Sequence, residues 1–118
     1  MAAEVIQPAN PSVVTNRVLS EVLAERIAQD AKWGEQNHPN GTGLNYQRHL
    51  ADEERNACQA AFRNGRGTWR HVMAEEIAEA NAEKDPAKLR AELVQVAAVA
   101  VAWIEAIDRR AQVEQPTP

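Results

Sequence analysis

The sequence predicts an all-α protein: an antiparallel bundle of about four helices, completed by oligomerisation. Three observations lead there. Apolar residues recur at three- and four-residue spacing along successive segments, and no alternating strand pattern competes with them. Each segment is bounded by residues that cap or break helices. The last segment is apolar on nearly all sides, which marks a buried helix. Hydrophobic residues make up 44% of the 118, yet aromatics only 4%. The core must therefore be built from small and branched side chains. So small a core points to close helix packing and to partner subunits, in a homodimer or homotetramer.

Residues 1–14 carry Pro8 and Pro11 with little periodicity and read as a flexible arm. The first helix is expected from Asn16 to Trp33, where Val18, Leu19, Val22, Leu23, Arg26, Ile27 and Asp30 share helical spacing. Thr15 or Asn16 would cap it and Gly34 would end it. "WGEQNHPNGTGLNYQ" then reads as a loop over 34–48, long enough to suggest a functional segment. A second helix is expected over His49 to Arg63, with few apolar positions: Leu50, Ala57, Cys58, Ala61 and Phe62. "NGRGT" breaks it. Thr68 can cap a third helix to about Lys84, and Asp85 with Pro86 can open a fourth that runs to about Ala111. Residues 15–112 are thus expected as a single all-α domain, with 113–118 as a flexible tail.

The formal net charge is −4 and no Lys/Arg run stands out. Nucleic acid is therefore not the expected partner. The lone Cys58 allows no internal disulfide and no cysteine-built zinc site, which fits a reducing, cytoplasmic setting. No basic segment leads an apolar one at the N-terminus, as a signal peptide would require. The longest apolar run, Val96 to Ile104, is far short of the ~20 residues of a membrane span, so no membrane partner is expected.

Acidic residues fall where a surface helix would not put them. Along the third helix, Trp69, Val72, Met73, Ile77 and Ala80 make the apolar stripe. Glu76 lies within that stripe, as does Glu83; Glu79 lies at its edge and Glu75 further out. A core-facing carboxylate is costly unless it is paired, protonated or bound to a cation. On the fourth helix, Leu89, Leu93, Val96, Ala100, Trp103 and Ile107 form a stripe with Glu92 on its flank and Gln95 further round.

The short turn at Asp85 makes the two helices antiparallel neighbours. Glu79 and Glu92 stand six and seven residues from Asp85, and Glu76 and Gln95 stand nine and ten. Equal separations give equal heights, so the four side chains form two levels of one site. Three carboxylates and an amide oxygen suit a hard cation, Mg2+ or Mn2+. No Glu-x-x-His is present, which argues against a di-iron bundle. The competing reading is plainer: glutamates at i, i+3 usually mark a solvated face.

"EEIAE" (Glu75 to Glu79) and "ELVQ" (Glu92 to Gln95), with "KWGEQNHP" before and "ELVQVAAVAVAWIE" after, resemble the MazG-like branch of the all-α nucleoside triphosphate pyrophosphohydrolases. The likeness covers roughly Val18 to Ala111, with an insertion between the loop and the third helix. It implies hydrolysis of a nucleoside triphosphate to the monophosphate and pyrophosphate. It implies Glu76, Glu79 and Glu92 as metal ligands, and Glu75 as a residue that either orients the attacking water or supports the ligands from behind; Glu75 and Glu76 are the expected catalytic residues. Gln95 stands where the family has Asp and offers an oxygen without a charge. Small phage-associated relatives act on dGTP, so the likeness also suggests a dGTP or GTP preference.

His38 lies in a loop similar to one that meets the nucleotide in dCTP pyrophosphatases; an exposed loop histidine is the alternative. Trp33 and Asn40 are weaker candidates for base or sugar contacts. Arg66 and Arg70 flank the glycine break and could clamp phosphates with their guanidinium forks, or could simply be solvated. Lys88, after the turn, could reach a phosphate or be a surface charge. The rival function is a non-catalytic helical module that binds nucleotide or metal without turnover. Gln95 is the feature in its favour.

Overall fold

The computed structural model describes residues 10–114. Four helices follow in order: α1 (Pro11–Trp33), α2 (Asn45–Arg63), α3 (Trp69–Ala82) and α4 (Pro86–Glu114). No strand occurs among the described residues, so the all-α expectation holds. The chain divides into two compact units. One spans Asn37–Trp103; the other combines the segment up to Gln36 with the segment from Ile104 onward. No described helix is long and apolar enough to cross a membrane.

In the unit that contains α1, the helix begins at Pro11 and not at Asn16. Asn10 is the cap, its Oδ1 accepting from the Ser12 N–H at 2.9 Å. Pro11 takes the first helical position, where a missing N–H costs nothing and the fixed φ is already helical. The proline that suggested an arm is therefore a helix start. The remainder of the expected arm, residues 1–9, lies outside the described residues. Thr15, expected as a cap, sits inside α1 and donates its hydroxyl to Glu105 of α4 at 3.2 Å. Val18 is the most deeply buried residue on α1, only 2% exposed. Gly34 ends the helix as expected, with φ 70° and its N–H on the Asp30 carbonyl. α4 continues past Ala111 to Glu114. Residues 115–118 of the expected tail are not among those described.

In the other unit, α2 begins at Asn45, a turn before the expected His49. The cap is one-sided and carries no Ser, Thr or Asp. Gln47 bends back so that its Oε1 accepts the Leu44 N–H at 2.8 Å, while its Nε2 donates to the Gly41 carbonyl at 3.0 Å. Buried at 8% exposure, Gln47 pairs the N–H of the cap residue, the half of a capping box that the third helical residue supplies. The loop shortens accordingly to residues 34–44. Its end is tied to the C-terminus of α3: the Gly43 N–H donates to the Asn81 carbonyl at 2.9 Å, and the Thr42 hydroxyl to the Glu83 carbonyl at 2.6 Å. These bonds occupy carbonyls that a helix end leaves unpaired.

α3 is capped by Thr68 as expected and ends at Ala82, short of Lys84. Asp85 then accepts the Lys88 N–H at 3.0 Å and opens α4. α2 packs on α3, and the buried apolar residues on these helices are small: Ala51 and Cys58 on α2, Ala78 and Ala80 on α3. α3 and α4 form an antiparallel hairpin. Trp69, at the start of α3, stacks on Trp103 with ring centroids 6.5 Å apart and planes 11° from parallel. The two lie sixteen and eighteen residues either side of Asp85, so the stack fixes the register far from the turn.

Gly43 gives a direct test of the loop's docking. Its φ is 85°, and an added Cβ would lie 2.7 Å from the Lys84 Cβ and 2.9 Å from its Cα. Gly43→Ala should lower the urea-unfolding free energy by more than ~2 kcal/mol, since collision with backbone adds to the left-handed penalty. Gly41→Ala, with φ 70° and nothing within 4 Å, should lose only the ~1 kcal/mol conformational part. Equal losses would show that the loop does not depend on its contact with Lys84.

Candidate metal centre

Glu76 and Glu79 are one turn apart on α3 and so share a face. The α3–α4 turn brings Glu92 across to that face. The three side chains offer oxygens that all lie within 4.8 Å of one another, and each is half-buried. Two carboxylate oxygens of this trio, Glu76 Oε2 and Glu92 Oε2, are buried without a hydrogen-bond partner among the described residues. Such orphan acceptors are rare in folded proteins.

The electrostatics follow from the geometry. Two like charges ~4 Å apart repel by roughly 4 kcal/mol at an effective dielectric constant of about 20. Burial, with the neighbouring charges of Glu79, Glu92 and Glu75, pushes the Glu76 carboxyl above its ordinary value. Burial also raises Glu79, helped by Glu75 and Glu92 and opposed by Arg55. A group of three acids in this state needs protons or a cation. The donor set is all carboxylate oxygen, which fits Mg2+ or Mn2+ better than a softer ion.

Arg55 of α2 is the functional candidate that the sequence reading did not name. Its Nε lies 3.7 Å from Glu79 Oε1, and a terminal nitrogen lies 3.1 Å from Asp52 Oδ1. One guanidinium cannot neutralise three carboxylates, and it leaves the two orphan oxygens untouched. A signal was available: Ala51, Arg55 and Cys58 share helical spacing, and the two that flank Arg55 are buried. Arg55 and Arg48 of α2 line an open cleft of about 530 Å3 with Asp52, Glu79, Glu83 and Glu92.

The other expected site residues differ in burial and in what they touch. Glu75 is half-buried beside Cys58. Burial pushes the Cys58 thiol up to about 11, helped by its hydrogen bond with Glu75 and by the charges of Glu75, Glu54 and Glu76. Gln95, one turn beyond Glu92, is exposed. Glu83 caps the end of α3 and accepts the Asp85 N–H at 3.1 Å. His38 and Asn40 are exposed in the loop, and Arg66, Arg70 and Lys88 are exposed as well. Among the described residues, no ion pair joins these three cations to the acids. Trp33 ends α1 in the other unit, 60% exposed, with the Lys32 ammonium 4.8 Å over its ring. No protein-family model, curated protein or solved structure matches the chain.

The raised carboxyls set a pH dependence. Their stabilising contribution is fully present below the unfolded value near 4.5 and is lost as pH rises through the raised folded values. In chelator at neutral pH, Glu76→Gln should therefore melt higher than the parent protein, and the difference should close below pH 4.5. Adding Mg2+ or Mn2+ should raise the parent's Tm and leave the variant's unchanged. At a hundredfold excess over Kd the gain is about 2.7 kcal/mol. Equal metal response in both proteins, read by calorimetry, would remove Glu76 from the ligand set.

Proposed function

We propose that the chain is a metal-dependent nucleoside triphosphate pyrophosphohydrolase, converting a (d)NTP and water to a (d)NMP and pyrophosphate with Mg2+ or Mn2+. One observation carries the reading: Glu76, Glu79 and Glu92 converge with two buried oxygens lacking partners. These residues belong to the "EEIAE" and "ELVQ" segments that resemble the MazG-like pattern. A divalent ion at such a site supplies counter-charge for the phosphates and acidifies water. Glu76, Glu79 and Glu92 hold the ion. Glu75, half-buried beside Cys58, orients the attacking water or steadies its neighbours. Gln95 provides a neutral oxygen at most, one turn beyond Glu92. Guanine nucleotides, dGTP or GTP, are the proposed substrates, and His38, Asn40, Arg66, Arg70 and Lys88 are the proposed contacts.

An oligomer belongs to the same proposal. Leu19 (45%), Val22 (41%), Leu23 (60%) and Ile27 (61%) on α1 are exposed at helical spacing. A stripe of this kind favours a second copy of the chain, in a homodimer or homotetramer. Leu23→Asp with Ile27→Asp should reduce the mass measured by light scattering to the 13.0 kDa of one chain. A mass unchanged by the pair would take the interface away from α1.

The second reading, a module that binds nucleotide or metal without turnover, is favoured by the uncharged, exposed Gln95. Pyrophosphate release separates the two. With Mg2+ or Mn2+ and a panel of (d)NTPs, the parent protein should release pyrophosphate, and Glu76→Gln should lose at least ~100-fold. Gln95→Asp should keep or raise the rate. No release from any nucleotide, or equal release by Glu76→Gln, would leave only the binding module.

A further inference from the structure

The α2 wall of the cleft has chemistry opposite to that of the acids it faces. Arg48 and Arg55 are seven residues apart on α2 and line the cleft together, with Glu79, Glu83 and Glu92 across from them. Arg48 donates to Asn45 on its own helix. Arg55 is held from two sides, by Asp52 at 3.1 Å and by Glu79 at 3.7 Å.

The two grips differ in strength. The Asp52 contact is a hydrogen bond within one helix. The Glu79 contact is at the loose end of ion-pair range, with the arginine side chain 41% and the glutamate 25% exposed. Pairs of this kind exchange readily and add little stability. A guanidinium also has five N–H donors, and the contacts above engage only some of them. The rest suit the paired oxygens of a phosphate.

We propose that Arg55 is a shared cation: Glu79 holds it when no divalent ion is bound, and it turns to the phosphate oxygens of a triphosphate once Glu79 serves as a metal ligand. Asp52 keeps the stem aimed at the cleft in both arrangements, and Arg48 meets the far end of the same anion. The idea rests on the pyrophosphohydrolase reading for the identity of the anion. The physical reason is charge balance. The acids of this cleft repel a triphosphate, so a polyphosphate needs positive charge from the α2 wall as well as from the metal. A cation parked on a ligand also softens the repulsion among the acids before the metal arrives.

Titration calorimetry on the full chain tests this with two probes, Mn2+ alone and inorganic tripolyphosphate at saturating Mn2+. Arg55→Ala should bind Mn2+ as well as the parent or more tightly, because a competing cation is gone. The same variant should bind tripolyphosphate at least about tenfold more weakly. Arg55→Lys keeps the charge and loses the fork; it should weaken tripolyphosphate by at least about threefold, and it carries both arms if Arg55→Ala does not fold. Weakened Mn2+ binding would overturn the proposal, since Arg55 would then be positioning Glu79. Unchanged tripolyphosphate binding would overturn it too, leaving Arg55 as a structural pair. Tripolyphosphate capture that depends on Arg55, in a protein that hydrolyses no nucleotide, would sustain this inference while sinking the hydrolase reading.

Discussion

Three half-buried carboxylates cannot all stay charged within 4.8 Å of one another without a counter-charge. Much of the unit spanning Asn37–Trp103 reads as a response to that constraint. The acids sit on α3 and α4, whose short connection at Asp85 leaves little freedom in their relative height. Burial and mutual repulsion raise Glu76 and Glu79. Two oxygens remain unpartnered. A fold that keeps these groups together gives up stability to do so, which is how binding sites differ from cores.

The register that creates the cluster is fixed at both ends. Near the turn, Thr42 and Gly43 bond to the last carbonyls of α3, and Asp85 caps α4. At the far end, Trp69 stacks on Trp103. Small residues on α2 and α3 allow the close approach that brings Arg55 to Glu79. A slip of one residue on α4 would rotate Glu92 by about 100° around its helix and dissolve the site.

The same closeness explains the inert surroundings of the only cysteine. Cys58 is buried with Glu75 as its hydrogen-bond partner and further carboxylates nearby, so its thiol stays protonated at neutral pH. α2 thus contributes two unlike neighbours to the acids, a neutral thiol beside Glu75 and a guanidinium beside Glu79. The pair gives α3 an asymmetric environment, with the guanidinium on the side that opens to the cleft.

The sequence by itself determined the helical class, the breaks at Gly34 and "NGRGT", the caps at Thr68 and Asp85, and the acids that converge. Each of these is local: periodicity and capping depend on residues within a turn or two. Glu76, Glu79 and Glu92 were legible because their conflict with an apolar stripe and their distances from Asp85 are arithmetic on the chain. Other features were decided only in three dimensions. Pro11 is a helix start because Asn10 caps it, and α2 begins early because Gln47 folds back on the Leu44 N–H. Arg55 joins the acids across a gap of twenty-four residues from Glu79. Its helical spacing with Ala51 and Cys58 marks the face it lies on but not its partner, because an ion pair depends on distance in space and not on separation in sequence.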